Sequence, residues 1–337
     1  MSDVQKLRYE DVVFEEAPCP LCGADSPGEA ILVGKDFVWR KQGEFPLVPC
    51  GGCGLVYQRP RPSPGTMRYY YEDCYSGEAQ AQMRRFQVES GFSRLISLYR
   101  VATIEKVRRL EPGQRVLDVG ASYGGFIDFV RQRRQIEAWA IDLDPGSIEE
   151  FVNKEQVQVT CGDLLEVGYP SDHFDVVTLF ETLEHVYGPV ETLREVRRIL
   201  RPGGLVSVEV PSWDSWLRPL FGASWFPLLL PTHLQHFSRA ALRRCAQEAG
   251  LEVVHHQAMW YPTELTVSTW IVLTRLMGHK EDAQKGAGRR LLEAVLGLWL
   301  GVLFIFVDIP MLMLLRLIGR SGHQTLVARK PASTQEV

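Results

Sequence analysis

The sequence predicts an α/β fold wound on an open parallel sheet, with a small cysteine-bearing module ahead of it and an apolar helical excursion within it. Three observations carry that prediction. β-Branched runs near 115–119, 137–141, 157–160, 174–180 and 204–210 alternate with helical patterns, the order in which a parallel sheet is wound. The run Val116–Gly125, VLDVGASYGG, ends the first of these strands in an acid and turns on glycines into an amphipathic helix over 126–135. Four of the seven cysteines fall as Cys19-x-x-Cys22 and Cys50-x-x-Cys53. A sixth strand, LEVVHHQ, follows a helix over 238–249, and a seventh, QTLVARK at 324–330, arrives only after a long excursion.

Composition sets the outer limits. With 337 residues and 45% hydrophobic content, the chain can bury one substantial core and carry appendages. A net charge of -4 argues against a general nucleic-acid binder, so no nucleic-acid partner is expected. The first eighteen residues are polar and acidic rather than basic then apolar, which places the chain in the cytoplasm as an expectation.

The paired cysteines read as a tetrahedral Zn2+ site, with Cys19, Cys22, Cys50 and Cys53 as ligands. Gly23 and Gly54 follow each pair and permit the tight turn that brings backbone amides to the thiolates. A module of this size buries too little by itself, and structural zinc contributes about 10–16 kcal/mol. The alternative, two disulfides, needs an oxidising compartment. Four thiolates leave no open position for catalysis. After this module, RPRPSPG at 59–65 is a connector, Tyr69, Tyr70, Tyr71 and Tyr75 crowd a short segment, and a helical pattern runs over 78–110. The tyrosines either line an acceptor or pack the module onto the sheet.

Asp118 lies two positions before Gly120. A pyrophosphate-binding turn avoids negative charge there, whereas a ligand bearing an ammonium group welcomes it. Asp142, delivered at the end of the next strand in AWAIDLDP, can accept two ribose hydroxyls. The turn reads Gly120-x-Ser122-x-Gly124-Gly125, with serine where a dinucleotide fingerprint has its second glycine. These residues favour S-adenosyl-L-methionine over NAD.

From Val116 to Pro211 the chain resembles the class I S-adenosylmethionine-dependent methyltransferases, in the subgroup whose fourth strand runs into Leu-Glu-His. The resemblance rests on VLDVGASYGG, Asp142, CGDLLE with Asp163, FDVVTLFETLEHV over 174–186, and LRPGG over 200–204, where a helix is expected to stop on Pro202. It implies a Rossmann-like seven-stranded sheet whose last strand lies antiparallel beside the sixth. It also implies cofactor contacts from Asp118, Gly120, Ser122, Gly124, Asp142, Leu143, Asp163, Leu164, Phe180 and Glu181, with Asp163 accepting the adenine amino group. The expected organisation is a zinc ribbon over 1–60, a linker and tyrosine-rich helical segment over 61–110, a core over 111–262, an apolar insertion over 263–320 and the last strand over 321–333.

That insertion contains TWIVLTRLM at 269–277 and LLEAVLGLWLGVLFIFVDIPMLMLLRLI at 291–318, edged by Lys280, Lys285, Arg289, Arg290, Arg316 and Arg320. Only the fourteen residues Ala294–Val307 run without charge, short of the roughly 20 that a spanning helix needs. Strands on both sides must also rejoin one sheet, so the segment must dip and return. The sequence therefore predicts a monotopic hairpin on the inner leaflet, its basic edges facing anionic lipid. The alternative is an apolar homodimer interface.

Methyl transfer from a sulfonium is an in-line displacement, in which positioning alone supplies about 7–11 kcal/mol. A hydroxyl or carbon-acid acceptor also needs a base. Candidates are Glu184 and His185 after the fourth strand, and His233 and His236 at the end of a tryptophan-rich loop over 211–238, where Trp213, Trp216 and Trp225 can wall an acceptor. The structural alternatives are that Glu184 and His185 pack locally and that His236 and Ser238 fix the next helix. The ribbon followed by tyrosines is similar to sugar C-methyltransferases, which have a second carboxyl-terminal domain, and oxygen is at least as good an acceptor atom here. The expected function is methyl transfer to a glycan, nucleotide-sugar or lipid-linked acceptor at the cytoplasmic membrane face. A small lipid or quinone acceptor is the alternative, and a zinc-ribbon binding protein with a cofactor-sensing pocket is the non-enzymatic one.

Overall fold

The computed structural model describes residues 7–72, 77–259, 263–277 and 295–332, apart from positions 298, 300 and 303. Lys280, Lys285, Arg289, Arg290, Cys74 and Tyr75 lie outside the described residues. The central sheet has seven strands: β6 (Arg115–Val119), β7 (Glu137–Asp142), β8 (Gln158–Cys161), β9 (Phe174–Phe180), β10 (Leu200–Pro211), β12 (Glu252–Met259) and β13 (His323–Arg329). Their spatial order is β12-β13-β10-β9-β6-β7-β8. β13 runs antiparallel between β10 and β12, with Val327 opposite Ser207 and His255. The parallel strands are apolar on both faces because helices cover both: Leu117, Val176, Val177, Leu179 and Val206 are fully buried.

Local chemistry explains the helices. Pro189 opens helix Pro189–Ile199, Val190, Leu193, Val196 and Ile199 form its buried stripe, and Arg197 and Arg198 occupy its last turn. It stops at Ile199 rather than Pro202, because Leu200 already has extended backbone and pairs with Phe174 on β9. The helical pattern over 78–110 resolves into Gly77–Glu89 and Gly91–Glu105, broken where the Ser90 hydroxyl accepts the Ser93 N–H as an N-cap.

The cysteine module is a three-stranded meander, β2 (Leu32–Gly34), β3 (Phe45–Pro49) and β4 (Val56–Gln58), while β1 (Phe14–Glu15) pairs with β5 (Arg61–Pro62) inside the proline-rich connector. Its fourth strand comes from far along the chain. β11 (Gln235–His236), the end of the tryptophan-rich loop, pairs antiparallel with β4. Leu21, Leu55 and Tyr57 share one buried cluster with Leu183, Leu193, Leu242 and Cys245 of the sheet's helical layer. The buried Tyr70 packs edge-on against Phe45 of β3, with ring centroids 5.6 Å apart.

Between β12 and β13 lie helix Glu264–Leu276, a π-helical turn Phe304–Asp308 and helix Ile309–Leu317. Buried polar anchors seat them: the Trp225 indole donates to Glu264 at 2.6 Å, the Phe226 N–H to the Ser268 hydroxyl at 2.9 Å, and the Thr266 hydroxyl to Asp308 at 2.6 Å. Their outer side stays apolar and exposed at Leu276, Phe306, Met313, Leu314 and Leu317. Among the described residues, no helix is long and apolar enough to cross a membrane.

Candidate active site

In an open α/β sheet a ligand sits beyond the carboxyl ends of the strands, where the crossover direction reverses. Here that place is between β6 and β9. Gly120 leaves β6 at φ +73°, and a Cβ there would run into Thr182 after β9; a Cβ at Gly124 would run into the Phe151 ring. Both positions therefore require glycine on two counts, the left-handed backbone and the space. Ser122 also takes the left-handed region, at φ +50°, and its N–H donates to Asp142 at 2.7 Å. The other Asp142 oxygen accepts the Asp144 N–H at 2.9 Å. A carboxylate has about four lone-pair sites, so Asp142 is fixed at the turn with capacity left for two hydroxyls. Burial raises its pKa despite these amide donors.

Asp118 is buried and accepts the Thr178 hydroxyl at 2.6 Å. Burial pushes its pKa up to about 7, and a cation beside it would favour the anion. Leu143 is 69% exposed beside Asp142, and Leu165 is half exposed next to the buried Leu164, leaving an apolar strip open at the end of β7 and β8. Asp163 caps helix Leu164–Val167, its Oδ1 taking the Leu165 N–H at 2.8 Å. Phe180 packs edge-on to Phe126 and beneath the Arg100 guanidinium, so it supports the site from the core.

Two glutamate–histidine pairs follow β9, three residues apart. Glu181 sits at φ +52°, held by its N–H to the Glu209 carbonyl at 2.9 Å, and its Oε2 lies 3.3 Å from Nε2 of His323 at the start of β13. Its Oε1 is buried without a hydrogen bond. Burial works against a charge on His323, but Glu181, Glu209 and Glu264 around it outweigh burial and raise its pKa. Arg100 holds Glu209 at 2.5 Å.

The second pair is of another kind. Glu184 is 1% exposed, neither carboxyl oxygen has a hydrogen-bond partner among the described residues, and burial with the nearby Glu181 charge holds its pKa well above the usual range. His233 Nδ1 lies 3.0 Å from the Pro227 carbonyl, so it carries the proton and Nε2 faces Glu184 at 3.9 Å. Burial, then the neighbouring histidines, push His233 well below its ordinary range. Burial brings His185 down to about 4; its Nδ1 meets the Thr232 carbonyl and the Tyr71 hydroxyl, and its ring lies edge-on to His233 with centroids 4.6 Å apart. Glu184, His185 and His233 place three possible ligand atoms within 4.8 Å, with Glu184 and His233 buried and His185 half-buried. His236 is 2% exposed, lies on β11 and is pushed by burial to about 3. The sequence reading grouped these histidines as proton acceptors. The structure instead buries His236 in the strand that completes the cysteine module, while Ser238 caps helix Arg239–Glu248.

The four cysteines converge. Cys19 and Cys53 sulfurs are 3.5 Å apart, Cys22 and Cys50 sulfurs 3.6 Å, and all four lie within 4.8 Å of one another. Disulfide sulfurs sit about 2.05 Å apart. Thiolates at about 2.3 Å from a tetrahedral zinc are separated by roughly 3.8 Å. Gly23 and Gly54 both take left-handed backbone, as the paired turns require, and the Gly52 N–H points to the Cys50 sulfur at 3.3 Å.

A methyltransferase-domain family model matches residues 92–256. The ubiquinone biosynthesis O-methyltransferase of Nitrosospira multiformis is 31% identical over 179 residues, 49% of this chain and 74% of that one. This chain belongs to the class I S-adenosylmethionine-dependent methyltransferases. The protein of the same description from Pseudomonas syringae pv. tomato is 32% identical over 155 residues, 42% of this chain and 66% of its own length, so the match to these relatives spans about two thirds to three quarters of them. A chain of the Haloferax volcanii complex between the Trm112 methyltransferase activator and a methyltransferase shares the fold, with a TM-score of 0.50, 18% identity, and coverage of 77% of this chain and 97% of that one. This methyltransferase therefore uses S-adenosylmethionine as its methyl donor. Four residues at the carboxyl edge of its sheet were not singled out by the sequence: Arg100, Glu209, Glu264 and His323. Only the antiparallel return of β13 places His323 opposite Glu181.

Proposed function

We propose that this methyltransferase methylates a hydroxyl on an apolar, membrane-resident acceptor of the lipid or quinone kind. The O-methyltransferase description of its relatives supports that acceptor class over the glycan or nucleotide-sugar acceptor expected from the ribbon. The apolar outer side of the insertion supports peripheral contact with a membrane.

The observation that carries the chemistry is the bare Oε1 of Glu181, a buried acceptor atom with no donor among the described residues, on the residue before Thr182, which packs against Gly120. Asp142 and the Gly120–Gly124 turn hold the nucleoside, with Leu143, Leu164 and Asp163 around the base. Asp118 answers the positive end of the cofactor. The bound cofactor supplies the sulfonium methyl. Glu181 would take the proton of the acceptor hydroxyl as its oxygen gains the methyl and S-adenosylhomocysteine leaves, and His323 would steady the other Glu181 oxygen. Cys19, Cys22, Cys50 and Cys53 would hold a structural Zn2+, which would brace the module that carries β4 and receives β11.

The test uses tritiated S-adenosylmethionine with a prenylated catechol and, separately, a nucleotide sugar. Methylation of the catechol oxygen alone is expected; transfer to the sugar alone contradicts the acceptor class. Calorimetry with S-adenosylhomocysteine checks the pocket, where Asp142→Ala is expected to weaken binding about 10- to 100-fold. Zinc removal by a chelator is expected to lower the melting temperature, and an unchanged melting curve with no metal by elemental analysis contradicts the zinc assignment.

A further inference from the structure

Away from the glycine turn, a cleft of about 730 Å³ opens at the end of edge strand β12, lined by Arg239, Arg316 and Arg320 together with Asp214, Gln257 and Leu317. Its charge is unbalanced. Asp214 is the single acid among the lining residues, and it already accepts the Arg239 backbone N–H at 2.8 Å. Gln257 is spent on the Tyr99 and Thr103 hydroxyls. Among the described residues the arginines have no carboxylate of their own: the Arg239 guanidinium donates to the His256 carbonyl at 3.0 Å, and that of Arg316 lies over the Tyr99 ring at 4.8 Å. Arg320 is exposed at the rim.

That rim is apolar. Leu317 is 81% exposed, with Leu314 on the same helix Ile309–Leu317 and Ile318 at its C-cap exposed as well. The Trp216 backbone N–H donates to the Arg320 carbonyl at 3.2 Å, which joins the segment bearing the exposed Trp216 to that of the arginine, and the exposed Leu220 follows on helix Leu217–Phe221. A guanidinium cluster suits a phosphate, whose oxygens take its paired N–H donors. Free phosphate would gain nothing from leucine and tryptophan around the mouth. A phosphate carried at a lipid interface matches both features, with apolar side chains entering the acyl boundary while arginines meet the headgroup.

We propose that this cleft is a headgroup site, in which Arg239, Arg316 and Arg320 hold the phosphate of an anionic phospholipid and so seat the rim of Trp216, Leu220 and Leu317 in the membrane interface. This rests on the membrane-resident acceptor proposed above, but it is tested without turnover, so either can fail alone.

The full-length protein is sedimented with vesicles of phosphatidylcholine alone and of phosphatidylcholine containing phosphatidylglycerol, with S-adenosylhomocysteine binding as the check on folding. Binding to the phosphatidylglycerol vesicles only is expected. Arg320→Gln should lower the partition coefficient about five-fold, and Arg316→Gln with Arg320→Gln more than ten-fold, with the nucleoside still bound. Leu317→Ser should also lower partitioning, and inorganic phosphate at millimolar concentration should compete only weakly. Equal binding to both vesicle types, or arginine variants that pellet like the parent, overturns the headgroup assignment. Full displacement by inorganic phosphate makes the cleft a free-phosphate site. Self-association that the Leu317→Ser variant abolishes, without any vesicle binding, makes the rim a contact between copies of this chain.

Discussion

Glu181–His323 and Glu184–His233 are the same two residue types, three positions apart on one stretch of chain, and burial treats them in opposite ways. Around His323 stand Glu181, Glu209 and Glu264, and their combined charge overcomes desolvation to favour an imidazolium. Around His233 stand His185, His236 and a carboxyl that burial keeps protonated, so desolvation wins and the ring stays neutral. Proximity of a glutamate to a histidine does not make an ion pair; the wider charge of the site decides it. One pair adjoins Thr182, which packs against the Gly120 turn. The other lies in a cluster that joins β9's loop to the loop carrying β11.

The largest expected difference between the pairs is catalytic. Glu181→Gln should lower kcat about 100- to 10,000-fold, the usual worth of a positioned base, while S-adenosylhomocysteine affinity holds. Loss of nucleoside affinity in that variant would return Glu181 to the cofactor shell that the sequence suggested. Glu184→Gln should leave kcat near the parent value; a collapse of kcat with the fold intact would make Glu184 the proton acceptor instead. His323→Gln should cost less than Glu181→Gln and displace the alkaline or acid limb of the pH–rate profile, since it steadies the carboxylate. An unmoved profile would leave His323 a packing residue.

Stability should separate the pairs next, through the sign of its pH dependence. His233 is depressed below its ordinary 6.5, so the stability it contributes is present above pH 6.5 and is lost as pH falls and the unfolded chain takes the proton first. His323 is raised above 6.5, so its contribution is full below pH 6.5 and is lost as pH rises through its folded value. Urea midpoints across pH 4.5–8.5 should therefore lose slope on the acid side in His233→Gln and on the side above 6.5 in His323→Gln. Matching slopes in the two variants would break the comparison. The smallest effect concerns Glu184→Gln, which swaps a protonated carboxyl for an amide of the same shape. Its stability should stay within about 1 kcal/mol of the parent, and a loss of several would mean that Glu184 is ionised.

What the sequence made legible follows from range. The glycine turn, the acids at the ends of β6 and β7 and the cysteine pairs are local signals, each set by a few neighbouring residues with a backbone or ligand reason. The five parallel strands and the late seventh strand were likewise readable, because apolar runs buried on two faces announce themselves. The Glu181–His323 meeting was not readable. It depends on β13 threading antiparallel between β10 and β12, and a lone histidine at the start of an apolar strand carries no local signature. The place of His236 was not readable either: a two-residue pairing with β4 is too short to leave a periodic pattern. Glu264 was hidden too, since an acid at the head of an apolar helix reads as a solvated end until Trp225 and Ser215 close over it.

The charge contrast itself is open to direct view. Imidazole nitrogen-15 and proton NMR, with His233→Gln and His323→Gln to assign the rings, reports the protonation of each ring without any acceptor. At pH 6.5 His323 is predicted to show a larger imidazolium fraction than a free imidazole, and His233 a neutral Nδ1–H tautomer that persists below pH 6. A neutral His323 at pH 6, or two rings that titrate together, would contradict it.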